Sequence, residues 1–189
     1  MARDLVARCR ADEPDGWRQL FDERAAQIYR WAVFLGLGAR DAEDAAQEVL
    51  VVASRRIHTC RGDDVLTSWL YQITRRVVAN TRRRRWYRVF LSNDEQQHVP
   101  AFDYAGAEGS ERELDVRRCL ARLPVPQREL LVLADIDGHT RPELAAMLGL
   151  PEGTVASRLR LARQAFRDHW QTSTPDSAAP TERLTWERS

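Results

Sequence analysis

The residues of this chain best suited to chemistry lie in the segment 153–167, where small polar side chains are followed by arginines. Small residues at the start of a helix let it approach base edges, and arginine makes paired hydrogen bonds to guanine and phosphate. At helical spacing the apolar residues form one inward face, made of Val155, Leu159, Ala162 and Phe166. The opposite side carries Gly153, Ser157, Arg160 and Gln164, flanked by Thr154, Arg158, Arg163 and Arg167. This composition favours DNA binding over a merely solvated basic helix.

The segment just before it has the sequence signals of a short helix and a tight turn. Thr140 and Glu143 are spaced as a capping box, in which two side chains satisfy amides at the start of a helix. An apolar stripe follows, made of Leu144, Met147 and Leu148. Gly149 supplies a left-handed residue to end the helix, and Pro151 suits the first turn of the next one. The pair is predicted to be a helix-turn-helix, with the arginine-bearing segment as its recognition helix.

A second basic region is predicted to be a helix over about residues 66–87. No acidic residue occurs between Val65 and Asn93, whereas arginines accumulate toward the end of the helix. Aromatic residues are interleaved with them, namely Trp69, Tyr71, Trp86 and Tyr87. The spacing predicts that Leu70, Ile73 and Val77 point inward and that Tyr71, Arg75, Val78 and Arg82 point outward. Arginine for phosphate and exposed rings for stacking suit unstacked, single-stranded bases.

Two helices are predicted before this region. The first, over about residues 17–35, has an aromatic-rich face, Phe21 included, that core packing explains without a ligand. The second is predicted to be capped by Asp41 and to bury an alanine-rich face. Its other side carries Asp41, Asp44, Gln47 and Glu48. Periodicity alone indicates ordinary capping and solvation for these four residues, although an acidic face also suits a basic partner.

The rest of the chain supplies a linker, two supporting helices and a tail. Residues 92–110 contain acidic residues, glycine and proline without a regular pattern, and are predicted to be a flexible linker. Helices over about 111–123 and 126–136 are expected to support the helix-turn-helix. Residues 171–189, rich in Ser, Thr and Pro, are predicted to be disordered. The fold class is therefore all-α, with two small helical domains, and their bounds are 1–91 and 111–170.

Composition argues against several classes of protein. The formal net charge is only +1, but all 29 basic residues are arginine and they are clustered, as DNA binding requires. The cysteines lie far apart, at Cys9, Cys60 and Cys119, so reduced thiols in a cytoplasmic protein are expected, with no metal and no cofactor. Asp135, Asp137 and His139 are interpreted as a solvated turn. No apolar run is long enough for membrane insertion, and no carboxylate–histidine cluster favours an enzyme such as a nuclease.

Two separated stretches resemble conserved regions of one protein family. A resemblance to the second conserved region of bacterial sigma factors is carried by DAEDAAQEVLVVASRRI and SWLYQITRRVVANTRRRR. A resemblance to the fourth is carried by LPVPQRELLVLADIDGHTRPELAAMLGLPEGTVASRLRLARQAFR. No domain lies between them, which resembles the short extracytoplasmic-function (ECF) group of the sigma-70 family. The resemblance covers about residues 17–167.

This resemblance implies a protein that binds core RNA polymerase, recognises promoter DNA and promotes strand opening. The residues it assigns to the polymerase beta-prime coiled coil are Asp41, Asp44, Gln47 and Glu48. Those it assigns to the minus-ten element and melting are Trp69, Tyr71, Arg75, Arg76, Asn80, Arg82 and Arg83, with loop 57–64 capturing a flipped base. Those it assigns to the minus-thirty-five element are Thr154, Ser157, Arg158, Arg160 and Arg163. It also implies contact with the polymerase beta flap, a linker directed toward the RNA exit path, and an anti-sigma factor that hides the docking surfaces.

The chain departs from the family pattern at several positions. Family members usually carry asparagine at the position of Arg76, an aromatic residue at Leu66 and tryptophan at Ser54. They often carry a basic residue at Ala156 and an aromatic–acidic pair at 141–142. The changes at Arg76 and at 141–142 bear on the promoter sequence that is read.

Two alternatives stay open on the sequence. A dimeric helix-turn-helix repressor or activator would explain residues 140–167 but would leave the second basic region and the acidic helix without a role. Binding to duplex DNA alone, rather than only with core polymerase, would favour it. For regulation, the alternative to a separate anti-sigma factor is inhibition in cis by the tail, with Leu184 and Trp186 as anchors.

Overall fold

The computed structural model describes residues 4–92 and 111–173, and all regular elements in these two ranges are helical. The chain divides into two compact units, Met1–Gly106 and Ala107–Ser189. The division falls within the predicted linker, of which all but residue 92 lies outside the described residues. Residues 174–189 of the predicted tail also lie outside them, whereas residues 171–173 continue the last helix. The predicted all-α class is confirmed.

The first unit contains four α-helices within its described residues. They are α1 (Leu5–Arg10), α2 (Pro14–Phe34), α3 (Ala39–Arg56) and α4 (Asp63–Ser92). A 3₁₀ turn, Ile57–Thr59, connects α3 to α4. The sequence pattern does not reveal α1, because six residues span too little of the helical repeat to show a periodic face.

The core of this unit forms where α2, α3 and α4 pack together. From α3 come mostly small buried side chains, Ala42, Ala45, Ala46, Val49 and Ala53, which let the neighbouring helices approach closely. Larger buried side chains come from α2 and α4, among them Leu20, Ile28, Trp31, Leu66, Leu70 and Tyr71. The rings of Trp31 and Tyr71 meet edge to face, with centroids 5.0 Å apart and planes at 83°. This geometry is favoured between aromatic side chains and fixes the register of α2 against α4.

Some orientations predicted for this unit are confirmed and others are wrong. Leu70, Ile73 and Val77 point inward as predicted, but the predicted outward residues Tyr71 and Val78 are only 1% and 3% exposed. The reason is that α4 contacts both α2 and α3, so adjacent positions along it face one neighbour or the other. Phe21, predicted to lie in the core, is 53% exposed.

The start of α4 anchors α1. The carboxylate of Asp63 accepts hydrogen bonds from the backbone amides of Leu5 and Val6, both at 2.8 Å. The side chain of Asp4 also caps α1, accepting from Val6 at 2.9 Å. Its hydrogen bond to Asp63 raises the pKa of the Asp4 carboxyl above its ordinary value. These contacts tie α1 to the start of α4.

The second unit contains four further α-helices in its described part. They are α5 (Glu111–Arg122), α6 (Val125–Leu131), α7 (Arg141–Leu148) and α8 (Glu152–Ser173), and a π-helical segment, Val132–Ile136, extends α6. Leu130, Leu131 and Leu133 are buried as predicted, together with Leu144 and Met147 of α7. The supporting pair and the helix-turn-helix therefore share one core.

Candidate nucleic-acid interface

The link between α7 and α8 has the geometry that its sequence predicts. Glu143 closes the capping box by accepting from the amide and the hydroxyl of Thr140, at 2.7 and 3.0 Å. The hydrogen bond from the amide, and to a smaller extent the one from the hydroxyl, lowers the pKa of the Glu143 carboxyl. Gly149 adopts the left-handed conformation, with φ 66°. Pro151, predicted to lie in the first turn of α8, instead immediately precedes the helix. Its carbonyl accepts the first hydrogen bonds of the helix, from the amides of Thr154 and Val155 at 2.9 and 3.0 Å.

The outer face of α8 is open. Gly153, Ser157, Arg158, Arg160 and Gln164 are exposed. The inward residues Val155, Leu159 and Ala162 are buried, as predicted, whereas Phe166 is half-buried and stacks on Trp170 with ring centroids 6.1 Å apart. A helix docked by its apolar face thus presents small residues first and cations after them, which suits entry into a major groove.

The arginines of α8 differ in their surroundings. Arg163 is only partly exposed and makes two hydrogen bonds to Asp135, at 2.6 and 3.2 Å. Arg167 is exposed and donates to the neutral side chain of Gln164 at 2.8 Å. Arg158 and Arg160 are the exposed cations nearest the start of the helix. Of the predicted minus-thirty-five contacts, Arg163 alone is held by a carboxylate within the described residues.

The distal part of α4 forms the second exposed basic surface. Between Ala79 and Trp86 no side chain of α4 is buried, in contrast to the densely packed stretch 66–78. Exposed members of the predicted minus-ten set are Arg76, Asn80, Arg82 and Arg83, and Arg75 is half-buried. Trp86 is 60% exposed at the end of this surface. The arginine cluster is therefore accessible to an anionic partner.

The two aromatic members of the predicted minus-ten set lie in different surroundings. Trp69 is half-buried, and its indole N–H donates to the hydroxyl of Thr59 at 3.1 Å. This bond ties the ring to the loop between α3 and α4. Tyr71 is buried against Trp31, so the expectation that it stacks on bases is wrong. Tyr71 instead supports the helix that carries the arginines.

The acidic side of α3 is arranged differently from its prediction. Asp44 and Gln47 are exposed, Glu48 is half-buried, and Val51, 47% exposed, lies one turn beyond Gln47. Asp41 does not cap the helix, because Gly38 occupies the N-cap position. Its carboxylate lies 3.0 Å from the guanidinium of Arg85 on α4. This pair holds the distal part of α4 against the start of α3.

Sequence reasoning misses the residues that act through a distant partner. Arg85, Thr59 and Asp135 gain their roles from contacts with Asp41, Trp69 and Arg163, which are 44, 10 and 28 positions away in the chain. A single sequence contains no signal that pairs these side chains across the fold. The exposed Val51 has a weak signal, since it falls on the same side of α3 as Asp44 and Gln47.

No group of three or more His, Cys, Asp or Glu residues in the described ranges is placed to hold a metal ion. Cys9, Cys60 and Cys119 are buried free thiols. Burial raises the pKa of the Cys9 thiol to about 11. None of the helices in the described ranges is long and apolar enough to cross a membrane.

A helix-turn-helix with an exposed cationic second helix, in a chain whose other unit exposes an arginine-rich helix, defines a helical DNA-binding protein. Two protein-family models agree with this class, and both describe regions of sigma-70 factors. Residues 20–88 match the model for Sigma-70 region 2, and residues 113–166 match that for Sigma-70, region 4. The chain belongs to the ECF RNA polymerase sigma factors, the group of transcription initiation factors that its sequence resembles.

The relatives cover nearly the whole chain. The ECF RNA polymerase sigma factor SigM of Mycobacterium tuberculosis is 33% identical over 160 residues, which are 85% of this chain and 80% of SigM. SigL of the same organism is 31% identical over 172 residues, covering 88% of this chain and 94% of SigL. Among solved structures, the sigma factor RpoE, in complex with the anti-sigma factor NepR from Bartonella quintana, has the same fold. Its TM-score is 0.69 at 24% identity, covering 82% of this chain and 96% of RpoE.

Proposed function

We propose that the outer face of α8 reads the minus-thirty-five element of a promoter as duplex DNA. The observation that carries this assignment is the exposure of Ser157, Arg158 and Arg160 on a helix whose other face is buried. Thr154 and Ser157 suit close approach to base edges, and Arg158 and Arg160 have the length to reach guanine or phosphate. Arg163 differs from these residues because it is paired with Asp135.

The distal part of α4 is proposed to engage the minus-ten element as its strands separate. Arg76, Asn80, Arg82 and Arg83 are exposed along one helix, where cations can follow a phosphate backbone. Trp69, on the first part of the same helix, is half-buried and fixed to the loop by Thr59, and the exposed part of its ring is available to a base. The loop 57–64 is the proposed pocket for a flipped base, and Tyr71 contributes by holding α4 in place.

The acidic side of α3 is proposed to bind core polymerase at the beta-prime coiled coil. Asp44, Gln47 and Glu48, with the exposed Val51 one turn away, combine negative charge with a small apolar contact. Such a surface suits a basic, partly apolar partner. The second unit is proposed to contact the beta flap. The protein acts in the cytoplasm by binding, without catalytic chemistry of its own.

A separate anti-sigma factor is proposed to hold the protein inactive by covering the docking surface on α3. The fold neighbour RpoE of Bartonella quintana is described as a complex with the anti-sigma factor NepR, which supports this arrangement by analogy. Deletion of residues 172–189 tests the alternative of inhibition in cis. Activity with purified core polymerase should not change on truncation. A large rise in activity would instead assign the inhibition to the tail.

In vitro transcription on a randomised promoter library tests the proposed function. Purified protein with core polymerase should initiate from a subset of templates that share two sequence blocks at a constant spacing. Core polymerase alone, and core with the Arg158→Ala/Arg160→Ala variant, are the controls. Binding to duplex DNA by the isolated protein as a dimer, without any core-dependent transcription, would favour the repressor or activator interpretation.

A further inference from the structure

A row of three arginines runs along one flank of α8, and a carboxylate from another element is paired with the middle one. Arg160, Arg163 and Arg167 are spaced at i, i+3 and i+7, so they lie on successive turns of the same side. Arg163 Nη2 donates to Asp135 Oδ1 at 2.6 Å, and its Nε donates to Oδ2 at 3.2 Å. The side chains of this pair are 31% and 24% exposed. The pair is therefore bidentate and lies beside the proposed DNA surface.

We propose that Asp135 is a positioning residue that withholds Arg163 from DNA phosphates and so limits the sequence-independent part of DNA affinity. In a bidentate pair, two N–H groups of the guanidinium already donate to the carboxylate and are not available to a phosphate. The negative charge of the carboxylate also offsets the positive charge of the arginine. Affinity for DNA of any sequence rises with the number of phosphates neutralised, whereas base contacts alone distinguish sequences. Removing one arginine from the phosphate contacts thus lowers the affinity for random DNA and for the promoter alike, and it weakens the dependence of binding on salt. The inference rests on the proposed function of α8.

The backbone around Asp135 is well placed to hold its carboxylate still. Asp135 lies in the π-helical segment, which carries the buried side chains of Val132 and Leu133. The carbonyl of Val132 accepts from the amide of Asp137, and that of Leu133 accepts from the amide of His139, both at 2.9 Å. The segment is thus fixed to the core on one side and presents Asp135 to α8 on the other. Such π-helical segments occur frequently at functional sites.

The test measures DNA binding by the holoenzyme at several salt concentrations. One probe is a duplex selected from a random library by the wild-type holoenzyme, and the other is a random-sequence duplex of equal length. Asp135→Asn should tighten binding to the random duplex and to the selected duplex by a similar factor, about threefold or more, and leave the ratio of the two affinities close to that of the wild type. The slope of log affinity against log salt should steepen by about 1, because one more cation meets a phosphate. Arg163→Gln should leave the slope unchanged, and Asp135→Asn/Arg163→Gln should return it to the wild-type value.

Arg167→Gln is the matched control, since Arg167 lies on the same flank but has a neutral partner. It should make the slope shallower by about 1 if it contacts phosphate. The proposal is overturned if Asp135→Asn leaves the salt slope and both affinities unchanged, or if Arg163→Gln makes the slope shallower. Arg163→Gln decides the question even if Asp135→Asn does not fold, because a withheld arginine cannot contribute to the wild-type slope. A wild-type holoenzyme that selects no duplex would instead reject the proposed function, and this inference with it.

Discussion

At the scale of single residues, the structure separates groups that face a partner from groups that hold the fold. Tyr71 and Arg76 lie on the same helix, five positions apart, yet Tyr71 is buried against Trp31 and Arg76 is exposed. Glu143 belongs to the groups that hold the fold, because its carboxylate accepts the hydrogen bonds that cap α7, the helix that precedes α8. Substitutions of Tyr71 and Glu143 should therefore change stability first, and DNA binding only as a consequence of lost stability.

Tyr71→Ala should destabilise the first unit by about 3 kcal/mol or more, since it removes a buried ring from the Trp31 contact. Urea unfolding of the purified protein measures this loss. Tyr71→Phe is the matched control, because it keeps the ring and should retain most of the stability. A stable Tyr71→Phe variant that fails to open promoter DNA would contradict the structural role, since it would give the hydroxyl a direct part in opening.

The Glu143 carboxyl should make the stability of the second unit depend on pH. Its pKa is lowered from 4.5 in the folded state, so its contribution is present above pH 4.5 and is lost as pH falls through the lower folded value. The direction of this pH dependence is checked by measuring the thermal unfolding midpoints of the wild type and of Glu143→Gln at a series of pH values from neutral downward. The difference in favour of the wild type should shrink with acidification. A difference that grows with falling pH would contradict the capping account.

At the scale of elements, α4 has two parts with different functions. Its first part packs between α2 and α3, and its distal part exposes arginines while the Arg85–Asp41 pair holds it to α3. On α3, the side opposite its alanine-rich packing face carries the proposed docking surface. Helix α3 therefore connects the proposed polymerase contact to the core, and α4 connects the core to the proposed minus-ten contact.

Charge reversal on α3 should weaken polymerase binding without unfolding the protein. Asp44→Arg/Glu48→Arg changes side chains outside the core, so circular dichroism and melting should stay close to wild type. Association with core polymerase, measured by pull-down, should fall steeply because a basic partner is now repelled. The control is Asp15→Arg/Asp22→Arg, the same charge change at exposed positions of α2. Equal binding by both double variants would show that α3 is not the docking surface.

Local sequence signals were sufficient for the helix-turn-helix and insufficient for the packing of α4. Thr140, Glu143 and Gly149 act on their immediate neighbours, so their types and spacing predict the turn. The burial of Tyr71 depends on two helices on different sides of α4, which periodicity with a single inward face cannot represent. The Asp41–Arg85 and Asp135–Arg163 pairs depend on the tertiary fold in the same way.

At the scale of the whole molecule, the two proposed DNA surfaces belong to separate compact units. The chain divides between Gly106 and Ala107, and each unit has its own buried core. The family matches follow the same division, with Sigma-70 region 2 in the first unit and Sigma-70, region 4 in the second. Duplex recognition and strand opening should therefore be separable by substitution.

The most direct test compares two double variants on closed and pre-opened promoters. Arg158→Ala/Arg160→Ala should weaken upstream duplex binding by the holoenzyme, a good bidentate base contact being worth about 1–3 kcal/mol. Arg82→Gln/Arg83→Gln should keep upstream protection but lose permanganate reactivity around the minus-ten element. Transcription by this second variant should recover on a template with an unpaired minus-ten region. Loss of upstream protection in both variants, or normal opening by the Arg82→Gln/Arg83→Gln variant, would contradict the division of function between α8 and α4.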